Sequence, residues 1–298
     1  MPLADGQVQV RNLVMGEGTP FEIINFNPWT RSVRADSQTA RTWNHGDWSG
    51  AEWQNAATIT LNVCIDGRPE TGYGGDFDTW IENRHQLALA FSAIGDAIAD
   101  TELRFRFGTR EYVMFGRPRM IDPDAEWLSW VRAGATGSAC AFVALDPRIY
   151  SGELHQAGPT GLPVTVGGLL VPVLVPLMVP ARLLSGALDL LNAGTTPTGL
   201  LVRIDGPAID PGFIIQRPDG SIQSVRVSLT LALGQWLEID TAAGTVFLNG
   251  LPTASQRGVT AWDVDPYPLL AGTNTLRFVA TDFNETAQIT AFWRDAWM

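Results

Sequence analysis

The stretch LEIDTAAGTVFLNG, residues 237–250, decides the fold class of the second half of this chain. Side chains alternate in character over 237–241 and again over 245–249, which is typical of strands with one buried face. Between them, Gly244 can take the positive φ that a hairpin loop needs, and Asp240 can accept hydrogen bonds from the amides that follow it. The stretch therefore predicts a β-hairpin whose acidic and amide side chains are turn residues rather than catalytic groups.

The same alternation recurs through the rest of the second half. It predicts strands at 169–179, 184–191, 198–204, 211–217, 222–231, 235–241, 245–249, 274–281 and 287–293. Short strands at such regular spacing indicate a sandwich or jelly roll.

The first half is also mainly β, with one helix. Strands are predicted within 7–26, at 57–66, 126–133 and 139–145, and in a hairpin that turns at Gly108-Thr109. Apolar residues at helical spacing from Phe77 to Phe91, preceded by Asp76 as a cap, predict the helix. The segment 27–58 is rich in Trp, Asn, Ser and Gly and is interpreted as a long ordered loop or short strands.

The chain length and a local cluster of glycine and proline residues predict two domains. The chain has 298 residues, about the size at which single cores stop growing. Five glycines and two prolines fall within 151–168 and mark the boundary. We therefore expect an N-terminal β domain at 1–155, a linker at 156–168 and a C-terminal β-sandwich at 169–298.

Charge and composition exclude several classes of protein. The net charge is −11, and all 20 basic residues are arginine. This balance argues against sequence-specific nucleic-acid binding and against binding to anionic membranes, both of which need basic patches. The N-terminus lacks the pattern of a signal peptide. The apolar segment 167–184 is not expected to span a membrane, because its prolines at 172, 176 and 180 would break a helix.

Residues that could carry chemistry are few and scattered. His45, His85 and His155 fall in different segments and predict neither a triad nor a metal site. Asp76 and Asp78 are too close in sequence to flank a sugar as an acid/base pair. Asp122, Asp124 and Glu126 alternate and either ligate calcium or form a solvated turn. The two cysteines, Cys64 and Cys140, are expected to be buried thiols rather than a disulfide. We expect no enzyme activity and no cofactor.

The eleven tryptophans suggest binding surfaces. Trp236 and Trp293 sit in strand patterns, for which core packing is the default interpretation. Trp43, Trp48 and Trp53 are spaced by five and indicate a protein interface, the core or a carbohydrate site.

Val8 and Val10 belong to the first predicted strand, Val8–Val14, which could equally serve the core of its own domain. Together with Trp43, Trp48 and Trp53, they are the candidate assembly residues.

Several segments, taken in order, resemble the siphophage distal tail protein family, including minor tail proteins of phages that infect actinobacteria. They are AFVALDPRIYSGE (141–153), VPVLVPLMVP (171–180), LNAGTTPTGLLVRIDGPAIDPGF (191–213), the hairpin at 237–250 and LLAGTNTLRFVATDFNETAQITAFWRDAW (269–297). The order and spacing of these segments carry the resemblance, rather than any one motif.

The resemblance implies an N-terminal β-sandwich with one α-helix that assembles as a ring, commonly a hexamer, and a C-terminal galectin-like β-sandwich. Such a ring is a structural hub at the distal end of the tail of a virion, made in the bacterial host cytoplasm. Its partners would be copies of itself, the tail tube protein and other tail-tip proteins. The alternative function is that of a carbohydrate-binding module that contacts glycans of the host cell wall.

Overall fold

The computed structural model describes residues 2–66, 77–93, 100–123, 135–161, 164–166, 182–184, 186–252, 265–282 and 286–298. These residues form a mainly β protein with a single α-helix among them, as the sequence predicts. The chain divides into two compact units, the first ending at Gly152 and the second running from Glu153 to Trp297.

The first unit is built on one long antiparallel sheet. The strands of the unit are β1 (Val8–Val10), β2 (Leu13–Met15), β3 (Phe21–Phe26), β4 (Val33–Ala35), β5 (Thr39–Ala40), β6 (Asp47–Trp48), β7 (Glu52–Gln54), β8 (Ala57–Asp66), β9 (Thr101–Phe107), β10 (Arg110–Pro123), β11 (Ala135–Ala144) and β12 (Ile149–Ser151), of which β4 to β7 lie outside the long sheet. The order is β2-β1-β9-β10-β11-β8-β3, and β12 also pairs with β10. The 14-residue strand β10 pairs with β9 along its first part and with β11 along its last part, so it joins the two halves of the sheet.

Helix α1 (Phe77–Phe91) completes the core of this unit. The predicted helix is confirmed, because Trp80, Leu87 and Phe91 are buried at helical spacing. They join side chains from both halves of the sheet, including Phe105 of β9 and Phe142 of β11, in one apolar cluster. The helix thus packs where the two halves of the sheet share a core, as in a sandwich.

Local sequence patterns explain β8 and the β9–β10 hairpin. Every second residue of β8, from Ala57 to Ile65, is buried, as expected for a strand with one face on the core. Strands β9 and β10 meet with Phe107 opposite Arg110, and Gly108 between them has a φ of 60°. The predicted turn at Gly108-Thr109 is confirmed.

The second unit is a β-sandwich. Its strands are β13 (His155–Gly161), β14 (Val164–Val166), β15 (Arg182–Leu184), β16 (Ala187–Asn192), β17 (Leu201–Asp205), β18 (Ala208–Ile209), β19 (Gly212–Gln216), β20 (Ile222–Arg226), β21 (Thr230–Leu231), β22 (Trp236–Asp240), β23 (Thr245–Leu248), β24 (Leu251–Pro252), β25 (Gly272–Val279), β26 (Gln288–Trp293) and β27 (Ala296–Trp297). One sheet has the order β13-β26-β17-β22-β23-β24 and the other β16-β25-β19-β20. Val202, Ile239 and Ile289 of the first sheet and Phe213 and Phe278 of the second are buried in one cluster between them.

The hairpin predicted at 237–250 is confirmed as β22 and β23. Leu237 and Ile239 are fully buried, and Asp240 lies opposite Thr245 at the end of the ladder. Gly244 has a φ of 64°, and the Asp240 carboxylate accepts a hydrogen bond of 3.0 Å from the amide of Ala243. Turn chemistry therefore accounts for the polar residues, as the sequence indicates.

The structure differs from the predicted linker at 156–168, because the first part of that segment is a paired strand. Residues 155–161 form β13, which pairs with β26 and has a register shift between Ala157 and Thr160. Gly158 has a φ of 101°, and a Cβ there would lie 2.7 Å from the carbonyl oxygen of Ile289. The glycine and proline content that suggested a linker therefore reflects an irregular strand that approaches its neighbour closely.

Some predictions fall outside the described residues. They are the strands at 126–133 and 169–179, the Asp76 cap, and residues 167–181 of the proline-containing apolar segment. In the described part of the chain, no helix has the length and apolar character needed to span a bilayer.

Candidate functional site

A hairpin arm, residues 33–54, leaves the first unit between β3 and β8. Strand β4 pairs with β7, with Val33 opposite Gln54, and β5 pairs with β6 further out, with Thr39 opposite Trp48. The two ladders are nested, so the arm is one long antiparallel hairpin made of the short strands that composition left open as an alternative to a loop.

The far end of the arm is closed by local contacts. The amide of Arg41 donates a hydrogen bond of 3.0 Å to the carbonyl oxygen of Gly46, and the Gln38 side chain donates one of 2.8 Å to the Asp47 carboxylate. The Arg41 guanidinium lies 4.7 Å from the centre of the Trp48 ring, a cation–π distance. Trp43 sits in the closing turn with a φ of 67°.

The arm has no core of its own. Every residue from 33 to 54 is exposed except Gly50, and Trp43 is 99% exposed. Trp48 and Trp53 are also exposed, at 64% and 56%. A two-stranded hairpin is only marginally stable in water. Burial of exposed indole rings lowers the free energy of the system. In the single chain, the arm therefore leaves three large indole side chains in contact with solvent.

The base of the arm is anchored to the first unit. Trp29 stacks on Phe107 with ring centroids 5.2 Å apart, and the amide of Asn55 donates a hydrogen bond of 2.9 Å to the carbonyl oxygen of Ser32. Arg31 donates hydrogen bonds to two neighbouring carbonyl oxygens, at 2.8 and 2.9 Å. Burial lowers the pKa of Arg31, and the negative charge of Asp146 partly opposes that shift.

The structure separates the five candidate assembly residues into two groups. Trp43, Trp48 and Trp53 lie together on the arm, whereas Val8 and Val10 are buried in the core of the first unit. Strand β1 is also paired on both sides, with β2 and with β9, so it has no free edge to offer another chain. Val8 and Val10 are therefore core residues of the first unit, which is the alternative that the sequence left open for them.

The three histidines lie on separate elements of the fold. His45 lies on the arm, His85 on α1 and His155 on β13, where its ring nitrogen is 3.1 Å from the Asp295 carboxylate. Of the possible calcium ligands, Asp122 lies on β10, while Asp124 and Glu126 are outside the described residues. Among the residues that the structure describes, no three His, Cys, Asp or Glu side chains are grouped as metal ligands.

A second surface, which the sequence did not identify, lies on the second unit. Trp236 was expected in the core, but it is on the opposite face of β22 from the buried Leu237 and Ile239 and is partly exposed. The guanidinium of Arg203, on the neighbouring strand β17, lies 4.7 Å from the centre of its ring. The alternation in WLEID contained this signal, because a buried Leu237 requires Trp236 to point the other way.

Arg203 is held in place on this face by Asp205. Its Nη2 and Nε atoms donate hydrogen bonds of 2.9 and 3.1 Å to the same carboxylate oxygen, Oδ1, of Asp205. Hydrogen bonding to Asp205 and the negative charges of Asp205 and Glu238 raise the pKa of Arg203 above its ordinary value. Both partners of the ion pair are about 39% exposed, so the pair contributes little to stability and mainly fixes the position of the guanidinium.

Comparison with solved structures identifies proteins of the same architecture. The Dit protein of phage SPP1, described as a paradigm of the hub adsorption apparatus in phages that infect Gram-positive bacteria, matches with a TM-score of 0.56. The identity is 11%, over 93% of this chain and 94% of that one. A chain of the phage p2 baseplate in its activated conformation matches with TM-scores of 0.51 with Sr and 0.50 with Ca, each at 8% identity over 96% of this chain. This chain shares their fold.

At these identities the likeness is one of fold, and it extends over both units because more than nine-tenths of each chain is covered. No protein-family profile matches the chain, and no curated protein matches it in sequence.

Proposed function

We propose that this chain is a structural hub protein of the tail tip of a long-tailed phage of the siphophage type, and that it assembles as a ring, with six copies as the expected number. The ring joins the tail tube to the proteins that contact the host cell. The observation that carries this proposal is the exposed arm, on a fold shared with phage hub and baseplate proteins.

The arm supports self-assembly because it carries three of the four largely exposed tryptophans among the described residues. Its three exposed tryptophans, Trp43, Trp48 and Trp53, are of the residue type that most often dominates binding energy at interfaces. An arm on one copy that docks on a different surface of the next copy makes a head-to-tail contact. Such contacts generate closed rings when the rotation between copies closes.

The charge of the arm supports the same interpretation. Residues 33–54 carry two arginines and three acidic residues, a net charge of −1, within a chain of net charge −11. Like-charged subunits repel one another, so contact through a nearly neutral and aromatic segment avoids most of that repulsion. We therefore expect the arm to dock mainly through apolar contact, and assembly to persist in 0.5 M salt.

The acidic composition also suits a ring through which DNA passes. A lumen rich in arginine would retain the phosphate backbone, whereas an excess of acidic residues repels it. The remaining parts of the proposal follow from the same role. The partners are the tail tube protein and other tail-tip proteins, the location is the distal end of the virion tail, and the protein is made in the cytoplasm of the bacterial host.

Light scattering coupled to size-exclusion chromatography, followed by negative-stain imaging, tests the proposal. The wild-type protein should have a mass several times 32.3 kDa and should form rings with a central hole. The variant with Trp43, Trp48 and Trp53 all replaced by serine should be monomeric.

A matched control replaces Ile222, Leu233 and Leu251 with serine. These are equally exposed apolar residues of the second unit, and the variant should still assemble. A wild-type protein that remains a monomer at all concentrations, or an arm variant that still forms rings, would contradict the proposal.

A further inference from the structure

A hollow on the first unit lies between the β1–β2 turn and the C-terminal part of α1. It encloses about 260 Å³ and is lined by Arg11, Asn12, Leu13, Gln86, Leu89 and Ala90. Leu89 is 72% exposed, and among the described side chains of α1 it alone is large, apolar and largely exposed. The other exposed side chains described on the helix are polar, so the hollow is an apolar interruption of a solvated face.

We propose that this hollow receives the Trp43 side chain of a second copy of the chain. The inference rests on the proposed ring, and it names the surface on which the arm of a neighbouring copy docks. Trp43 lies in the closing turn of the arm and is 99% exposed. In the single chain, the Trp43 ring therefore fills no hollow.

The backbone conformation of Trp43 is unusual for a large side chain. Its φ of 67° lies in the left-handed region, which is unfavourable for residues other than glycine and rare for bulky ones. A strained and fully exposed indole ring does not stabilise the fold of its own chain. Contact with another molecule would bury the ring and offset the strain.

The size and lining of the hollow match an indole ring. A cavity of about 150 Å³ holds a benzene ring, so about 260 Å³ is enough for two fused rings. Leu13, Leu89 and Ala90 supply apolar contact, whereas Asn12 and Gln86 are exposed and supply polar groups at the rim. An apolar centre with a polar rim is the usual arrangement of a protein interface.

Arg11 supplies a flat surface for the ring. Its guanidinium is held by hydrogen bonds to the carbonyl oxygens of Leu89 and Ser92, at 2.6 and 2.8 Å. Guanidinium N–H groups point within the plane of the group, so these bonds leave its faces free to stack on an aromatic ring. Because Arg11 is already fixed, little side-chain entropy is lost when the ring docks.

Charge and stoichiometry favour a second copy as the occupant. The lining of the hollow carries one charge, the positive charge of Arg11, and the arm has a net charge of −1. Such complementarity selects the partner more than it raises affinity. Each copy has one arm and one hollow, so every contact is head-to-tail and leaves an arm and a hollow for the next copies, as a closed ring requires.

Disulfide cross-linking of the full chain tests this inference. All variants carry Cys64→Ser and Cys140→Ala, so that no native thiol reacts. One protein carries Trp43→Cys, and a second, labelled with ¹⁵N, carries Leu89→Cys. Mild oxidation of the mixture should yield a disulfide-linked dimer with one copy of each, identified by mass spectrometry.

A matched control establishes that the cross-link is specific. It replaces the Leu89→Cys protein with one that carries Thr60→Cys, an exposed position on the outer face of β8. The yield of mixed dimer should be at least tenfold lower. A chain that carries both Trp43→Cys and Leu89→Cys should form a ladder of linked chains, whereas a disulfide within one chain would mean that the arm docks on its own unit and would overturn the inference.

A second variant measures what the hollow contributes to assembly. Leu89→Ser should raise the protein concentration at which half of the chains are assembled at least tenfold, as measured by light scattering. Leu233→Ser, a change at an exposed leucine of the second unit, should leave that concentration unchanged. Both positions are exposed, so both variants should keep the circular dichroism spectrum of the wild type.

The outcomes separate this inference from the ring proposal. Rings without the mixed dimer, or a Leu89→Ser variant that assembles like the wild type, would overturn the docking surface and leave the ring intact. A mixed dimer without rings would support the docking surface and contradict the ring. A protein that forms neither rings nor the mixed dimer would contradict both.

Discussion

The guanidinium of Arg11 and the carbonyl oxygen of Leu89 are joined by a hydrogen bond of 2.6 Å that ties the β1–β2 turn to the end of α1. The same guanidinium donates to the carbonyl oxygen of Ser92 at 2.8 Å. A helix ends with carbonyl groups that lack partners and carry partial negative charge, and an arginine meets both needs. The last turn of α1 contains no basic residue of its own, so Arg11 supplies the charge from a distant part of the sequence.

Replacing Arg11 with asparagine should lower the free energy of unfolding by about 1–2 kcal/mol, because the C-terminal carbonyl groups of α1 lose their donor. Asparagine is the appropriate replacement, since Arg11 has a φ of 53° and asparagine tolerates that conformation. Urea unfolding followed by circular dichroism measures the effect. The control Arg110→Asn, at an exposed position beside the β9–β10 turn, should change stability by less than about 0.5 kcal/mol. Equal effects of the two substitutions would argue against the capping role.

Asn192 should be one of the most sensitive positions of the second unit. It is fully buried, its amide donates to the carbonyl oxygens of Thr196 and Leu269, and its oxygen accepts from the amide of Gly194. Asn192→Ala removes these three hydrogen bonds in a buried environment and should cost about 2–4 kcal/mol. Thermal unfolding checks this against Leu191→Ala, a neighbouring residue that is 55% exposed. A loss no larger than that of Leu191→Ala would contradict the prediction.

Gly244→Val should destabilise the β22–β23 hairpin by about 1–2 kcal/mol, because a β-branched residue is strained at a φ of 64°. Gly161→Val serves as the comparison in the same unit. A Cβ at Gly161 would lie 3.6 Å from its nearest neighbour, the Ala287 carbonyl oxygen, and its φ is not positive. Chemical denaturation of both variants measures the difference. A Gly244→Val variant as stable as the wild type would show that the turn does not need glycine.

Local patterns predicted most of the fold because burial alternates within a strand and needs no knowledge of its partners. The strand at 57–66, the helix from Phe77 and the hairpin at 237–250 all follow from that rule. The incorrect predictions arise where pairing between segments that are distant in sequence decides whether a segment forms a strand. Strand β13 was taken for a linker because its two glycines and its proline do not show that it pairs with β26, over a hundred residues later.

The candidate sites likewise depend partly on local patterns and partly on pairing between distant segments. The spacing of Trp43, Trp48 and Trp53 marked the arm, but its hairpin depends on Val33 meeting Gln54, which no local pattern specifies. The face around Trp236 was missed for a different reason. The size of an indole ring favoured a core position, although the alternation itself placed Trp236 on the outer face.

The stability of the chain should fall at high pH through Cys140. Burial raises the pKa of this thiol from its ordinary 9.0 to about 12, with Arg84 opposing the shift. Above pH 9 the unfolded chain loses the thiol proton while the folded chain keeps it, so ionisation stabilises the unfolded state. The free energy of unfolding should therefore fall by about 1.4 kcal/mol per pH unit from this residue alone between these two pKa values.

Comparison with Cys140→Ala isolates that contribution. The substitution lowers stability by a constant amount below pH 9, and the gap between the two proteins should narrow as the pH rises to 10 and above. Urea unfolding at a series of pH values measures both curves. Parallel curves would mean that the pKa of the folded thiol is not raised.

The tryptophans of the first unit should divide into those that stabilise the fold and those that do not. Trp43→Ser should leave the free energy of unfolding of the monomer unchanged within about 0.5 kcal/mol, because the side chain makes almost no contact within the chain. Trp29→Ser should cost about 1 kcal/mol or more, because Trp29 stacks on Phe107. Both are measured at a protein concentration low enough to keep the chain monomeric. A large loss of stability in Trp43→Ser would mean that the arm packs on its own unit.

The hydrogen bond between Asn55 and Ser32 closes the arm at its root, so the chain enters and leaves the hairpin at almost the same point. Residues can be added to or removed from the far end without moving β3 or β8, which carry the root. Mutation can therefore change the length of the arm by insertion and deletion while the core stays constant. The arm is the part of the molecule in which we expect related proteins to differ most in length.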